Sequence, residues 1–322
     1  VQATQYTFTE FIVPTPLHHP TNFGPESIVA GPDGNLWFTE SDQRAIGRIT
    51  TGGGITEFVL PDNALPNAIT SGPGGSLWFT AITQSDSIGR ITPNGEVTFF
   101  PLPVDPGLPP LSSPNPRGIT AGPDGNLWFV EQGSNKIGRM TTDGTVTEYA
   151  IPTAFSEATD IVAGPDGNLW FTEANKDKIG RITPAGVISE FAAPMGSRPR
   201  AITSGPDARL YAVGVKVLVI EPSTGAVSLF RNLGGDDITV GPDGNIWWIA
   251  GGGMCTAYYA KPGTTGGGGF ARGPLGTCNP RGITAGPDGR LWFTNATANK
   301  VVRLDLGPAT PTIRVYLPLV NR

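Results

Sequence analysis

An all-β fold, a seven-bladed β-propeller with four antiparallel strands in each blade, is what this sequence predicts, on three observations. The first is a repeat. The tetrad Gly-Pro-Asp-Gly or a near copy begins at Gly31, Gly72, Gly122, Gly164, Gly205, Gly241 and Gly286, at spacings of 41, 50, 42, 41, 36 and 45 residues. Periods of this size mark blades or solenoid turns. The second is content: each unit reads I-T-x-G-P-D-G, N-L-W-F-T-E, N-K-I-G-R-I-T and x-G-x-I-T-E-F-x-L-P, four short β-branched and aromatic runs between Gly, Pro and Asp turns. That pattern excludes helical repeats. The third is a ring of tryptophans, Trp37, Trp78, Trp128, Trp170, Trp247 and Trp292, at one equivalent position. A four-stranded sheet cannot bury both faces alone, so blades stack radially, and large rings fill the space between them.

In chain order, the run Tyr6 to Pro14 is an extra copy of the fourth strand of a unit and can close the ring; Thr312 to Pro318 competes for the same place beside Val301–Leu306. The N-terminal run is the favoured closure. In the third unit the four strands, a to d, fall at Ile119–Ala121, Asn126–Val130, Lys136–Thr141 and Thr145–Ile151, with strand a lining the channel. The expected organisation is one propeller domain over 1–322: a closing strand in 1–14, seven units over 28–306, and a tail or extra edge strand in 307–322. Pro101–Pro116 is a longer Pro-rich loop, and the glycine runs near Gly251–Gly269 read as linkers.

The 45 Gly and 32 Pro residues are periodic and so do not signal low complexity. A net charge of -5 with 15% charged residues lacks the basic stripe that phosphate neutralisation needs, which excludes a nucleic-acid partner. No run of eighteen apolar residues predicts a membrane span. The opening VQATQYTF lacks a charged head and apolar run. The two cysteines, Cys255 and Cys278, lie in neighbouring units on one face, so a disulfide is expected, and with it a secreted or periplasmic protein. A monomer with a small polar ligand or an extracellular partner is expected.

Residues repeated in every blade serve the scaffold: Arg48, Arg90, Arg139 and Arg181 of I-G-R, and turn aspartates such as Asp33 and Asp124. Chemistry is sought where equivalent positions differ, on the face carrying the d-to-a and b-to-c loops. The position nearest the axis mouth is Glu26, Asn67, Arg117, Asp160, Arg200, Asp237 and Arg281 in blades 1 to 7. This mixed-charge ring suits a polar ligand; a ring of mutual salt bridges around water is the competing reading. Glu40, Glu131 and Glu173 end strand b on the same face; they either widen the acidic side of the mouth or, the favoured expectation, pair with neighbouring Arg or Lys. His18 and His19, the only histidines, sit in an entry loop; adjacent residues of an extended segment point opposite ways, so an exposed loop is the reading. No nucleophile elbow, zinc signature, phosphate loop or calcium loop is present.

The phrases GPDGNLWFTE with NKIGRMTTDGTVTEYAIP, and GPDGNLWFTEANKDKIGRITPAGVISEFAAP, resemble the virginiamycin B (streptogramin B) lyases over Tyr6 to about Leu306. The resemblance implies a seven-bladed propeller closed by its N-terminal strand, and an elimination that linearises a cyclic depsipeptide with Mg²⁺ assistance, using a base and an oxyanion stabiliser. The lyases carry Pro-His-x-Ile-Thr entering the sixth blade and Glu-Pro-His-Gly-Ile entering the seventh. Here the sixth-blade segment is Gly235-Asp236-Asp237-Ile238-Thr239 and the seventh is Asn279-Pro280-Arg281-Gly282-Ile283. Asp237 stands for the first His, Asn279 for the Glu and Arg281 for the second His. Arg stays protonated and Asn does not shuttle protons. The leading expectation is therefore a lyase-like propeller that binds a polar ligand at its mouth without streptogramin lyase activity. Second is a lyase or hydrolase acting on another ester or a uronate-like substrate, with or without a divalent cation, with Asp237 or Asp160 as base and Arg200 or Arg281 as oxyanion stabiliser. Third is an interaction module using the disc edge or loop faces.

Overall fold

The computed structural model describes residues 6–17, 24–83, 85–103, 113–251, 255–264, 268–273 and 278–307. Its strands form seven four-stranded antiparallel sheets, each joined in the order a-b-c-d. In blade 3 these are Pro116–Ala121, Leu127–Glu131, Lys136–Met140 and Val146–Ala150. Strand b is buried along its whole length and strand c at three of its five positions, whereas strand d alternates between half-buried and exposed. That alternation is expected of an edge with one face on the next blade. Strands a of successive blades pack side by side around the axis, and Pro25–Ala30 of blade 1 meets Pro280–Ala285 of blade 7 to complete the ring.

Closure uses the N-terminal strand. Thr7–Ile12 pairs antiparallel with Lys300–Asp305, from Thr7 opposite Asp305 to Ile12 opposite Lys300. Phe11 stacks on Trp292 at 5.4 Å, Phe8 meets Phe293 edge-on, and Val13 is buried. The competing run Thr312 to Pro318 lies outside the described residues, as do His18 and His19.

The repeated tryptophans are core: all six are 0–1% exposed, each ring worth about 2–3 kcal/mol on burial. Burying an indole strands its N–H, and the turn aspartate satisfies it. Trp37 Nε1 donates to Asp33 at 3.0 Å, and Trp128, Trp170, Trp247 and Trp292 do the same to Asp124, Asp166, Asp243 and Asp288. The arginine of I-G-R lies over the indole, Arg48 5.5 Å above Trp37 and Arg139 5.8 Å above Trp128. Blade 5 substitutes Tyr211, whose hydroxyl donates to Asp207 at 2.8 Å. The glycine run near Gly269 is not a linker at its far end. Gly268–Arg272 forms strand d of blade 6, with Gly268 opposite Ala260 and Gly269 opposite Tyr259; a Cβ at Gly269 would fall 2.6 Å from the Tyr259 hydroxyl, so the close approach of the ring selects glycine.

Candidate functional site

Strand a delivers the mouth residues through a local irregularity. In five blades the register between strands a and b slips by one residue at the strand's start: between Pro25 and Ile28, Pro66 and Ile69, Pro116 and Ile119, Ala158 and Ile161, and Pro280 and Ile283. The extra residue is a bulge, which re-aims side chains and leaves a backbone N–H off the ladder. Glu26, Asn67, Arg117, Asp160 and Arg281 all sit in these bulges. The stray N–H is met by the threonine of L-W-F-T: Ser27 N donates to Thr39 Oγ1 at 3.1 Å, Asp160 N to Thr172 Oγ1 at 3.1 Å, and Gly282 N to Thr294 Oγ1 at 2.9 Å. The same hydroxyls donate onward to the mouth residue of the next blade, Thr39 to Asn67 O at 2.7 Å, Thr172 to Arg200 O at 3.1 Å and Thr294 to Glu26 O at 2.6 Å. These buried threonines thus fix the mouth residue of their own blade and its neighbour.

A cavity of about 190 Å³ opens at the mouth, and six of the seven predicted ring residues line it; the exception is Arg117. Arg117 is nevertheless close enough to act on Glu26, whose carboxyl is pushed up by burial and drawn back by Arg281 and Arg117. Asp160 and Asp237 are not salt-bridge partners of the arginines. Asp160 Oδ2 accepts from Ile202 N of blade 5 at 2.9 Å and Oδ1 from Ile161 N at 2.9 Å. Asp237 Oδ2 accepts from Ile283 N of blade 7 at 2.8 Å. Each carboxylate therefore staples its blade to the next. Burial pushes Asp160 up to about 6 and Asp237 up to about 8, the backbone amides offsetting only part of the desolvation. Asp160 and Asp236 add to the rise at Asp237. Asn279 N donates to Asn295 Oδ1 at 3.1 Å.

The strand b glutamates do not join the mouth and do not pair with cations as expected. Glu40, Glu131 and Glu173 are 0% exposed, and each points across strand c at a glutamate of strand d: Glu57, Glu148 and Glu190. The crossing is open because strand c has glycine there. Gly47, Gly138 and Gly180 stand opposite Glu57, Glu148 and Glu190 in register, and a Cβ at Gly47 would lie 2.5 Å from Glu40 Oε1. Lys136 and Lys178 bind the strand d partners instead, Glu148 and Glu190, each at 2.7 Å. Burial, then the facing glutamate, push Glu173 up to about 7, Glu131 to about 8 and Glu40 to about 9. Lys178 and Lys136 moderate the first two. Blade 1 has Ala45 at that place, so Glu40 rises furthest.

Among the described residues no three His, Cys, Asp or Glu side chains form a group that could hold a metal. At the mouth the carboxylates are engaged by amides and interspersed with arginines, a donor set that does not fit the Mg²⁺ implied by resemblance. Cys255 and Cys278 are joined as a disulfide with Cα atoms 5.2 Å apart, tying blade 6 to blade 7 beside the mouth. No helix among the described residues is long and apolar enough to cross a membrane.

The sequence matches the profile of the virginiamycin B lyase family over residues 3–220 and again over 108–254. The chain belongs to the virginiamycin B lyase family. Among solved structures it is similar to a streptogramin B lyase, at 30% identity and a TM-score of 0.80, covering 93% of this chain and 97% of that one. It is also similar to a catalytically inactive virginiamycin B lyase variant from Staphylococcus aureus solved with quinupristin, at 31% identity and a TM-score of 0.79, covering 93% and 99%. No curated protein matches the chain. Within this family frame, the bulge positions and their threonine supports are what the sequence reading missed. Their signal is the Thr of L-W-F-T, polar at a position where its neighbours are all buried.

Proposed function

We propose that this member of the virginiamycin B lyase family binds a polar ligand at the charged mouth of its channel and does not open streptogramins. One observation carries the reading: the residue at the place of the family's first histidine, Asp237, spends a carboxylate oxygen on Ile283 N, within a cavity that otherwise gathers the variable polar residues of the ring. Asn279 and Arg281 offer no proton acceptor at neutral pH to replace the Glu and second His. The reading places the protein outside the cytoplasm, supported by the Cys255–Cys278 disulfide.

Incubation of the protein with a streptogramin B and Mg²⁺, followed by mass spectrometry beside an authentic lyase, tests it. The expected result is intact cyclic antibiotic where the control gives linear product. Linear product here would overturn the loss of activity.

A second reading has one observation in its favour. The Asp237 carboxyl, pushed up to about 8, changes protonation near neutral pH in a cavity shared with Arg281, which suits a general base beside an oxyanion stabiliser. On that reading the substrate is another ester or a uronate-like compound, and Asp237→Asn abolishes turnover while preserving the acceptor for Ile283 N.

A further inference from the structure

In ring order the mouth residues alternate in sign: Glu26, then neutral Asn67, then Arg117, Asp160, Arg200, Asp237 and Arg281. Three acids stand against three arginines, so the ring is balanced in formal charge, but it is compensated locally only where neighbours pair, and two of the acids are turned elsewhere. Asp160 and Asp237 hold backbone amides of the next blade, and neither forms an ion pair among the described residues. Half-buried in the mouth without a cation beside them, both resist ionisation, whereas arginine keeps its charge at any working pH. Glu26 answers the fields of Arg281 and Arg117.

Arg200 is left over. Its backbone is fixed by Thr159 Oγ1 and Thr172 Oγ1, which both donate to its carbonyl, and by its own N–H to Val213 O. Its side chain is exposed and forms no ion pair among the described residues. It stands where two cavities join, the mouth and a groove of about 360 Å³ running outward over blades 5 and 6. The groove is floored by Gly214, Gly234, Gly235 and Gly251 and walled by Val215. Asp236 is the acid that both cavities share, and its Oδ2 accepts from Gly251 N at 2.9 Å. An exposed arginine without an ion pair among the described residues, at the junction of a small polar pocket and an open, side-chain-poor trough, favours an acid group with a tail.

We infer that mouth and groove form one elongated site for an anionic ligand of the carboxylate class, its acid group anchored on Arg200 and its remaining length laid along the glycine floor. This rests on the reading of the mouth as a ligand site.

Calorimetry of the intact protein at low salt tests it with probes of one length. Galacturonate trimer and triglutamate present carboxylates from a sugar and a peptide source. Methyl-esterified galacturonate trimer and triglutamine are their neutral counterparts, and glucosamine trimer and trilysine their cationic ones. The expected result is binding of a carboxylate probe alone, weakened by added salt and weakened about tenfold or more by Arg200→Ala, as loss of one charge-assisted contact requires. Arg272→Ala, which removes an exposed charge from strand d of blade 6, leaves it unchanged. Binding of neutral or cationic probes as strong as that of the acids, lost in Arg281→Ala, overturns the anion selection while sparing the mouth as a polar-ligand site. Acid binding untouched by Arg200→Ala but lost in Arg281→Ala overturns the anchor. Acid binding untouched by both moves the site off the mouth and sinks both readings, and silence from all six probes overturns the carboxylate class.

Discussion

Glu40 shows how one residue reports its surroundings. A carboxyl that is 0% exposed, faces Glu57 and has no lysine within its blade's pair is held protonated. Its folded value, about 9, stands above the ordinary 4.5, so the folded chain keeps a proton that the unfolded chain has released. Linkage then makes stability fall as pH rises between those two values, and level off beyond them. Glu131 and Glu173 act in the same direction over narrower windows ending near 8 and 7. The melting temperature is accordingly expected to fall from pH 5 to pH 9. Glu40→Gln, a neutral side chain of the same shape with no proton to lose, should flatten part of that slope and raise the melting temperature at pH 9 by about 2–4 °C. A thermal melt at several pH values checks both, and an unchanged slope in the variant would refute a protonated Glu40 as its source. None of this was legible in the sequence, where a glutamate is read against nearby cations. Its partner lies two strands away, and the only trace is a glycine on the strand between them.

At the scale of a strand, that glycine does two things. Gly47 pairs with Phe38 on one side and Glu57 on the other, and a Cβ there would meet Phe38 Cζ at 2.1 Å as well as Glu40 Oε1 at 2.5 Å. Gly47→Ala is therefore expected to destabilise by about 1–3 kcal/mol through overpacking, measured by urea denaturation. A neutral outcome would mean that the ring gives way freely. The four-strand pattern itself was legible because each strand repeats seven times, and repetition averages out local ambiguity. The tryptophans and turn aspartates were legible for the same reason, although the hydrogen bond joining them was not. The mouth ring was found from its variability between units. The bulges that aim it were not, since an extra residue in strand a looks in sequence like ordinary turn variation. Nor were the staples from Asp160 and Asp237, which join blades about 42 to 46 residues apart.

The molecule as a whole depends on one pairing between its two extremes. Thr7–Ile12 supplies the fourth strand of blade 7 and contributes Phe8 and Phe11 to the blade interface, joined by Val13 just after it. Removal of residues 1–14 should lower the melting temperature by about 10 °C or more, given about 1.5–3 kcal/mol per buried apolar side chain. It should also open Lys300–Asp305 to trypsin. Resistance equal to that of the full chain would show that another segment can take the vacant edge.

The same pairing sets an order of events during synthesis. The strand that finishes the last blade is made before every other described strand of the propeller, yet its partner is made about 290 residues later, a wait of about 15–60 s at ordinary elongation rates. Throughout that interval the strand with two phenylalanines can rest Phe11 against blade 1 but has no strand to pair with, and blades 1 to 6 can stack only as an open arc. The circle becomes a circle in a single late step, so the nascent propeller is most exposed to wrong pairings just before Lys300–Asp305 emerges.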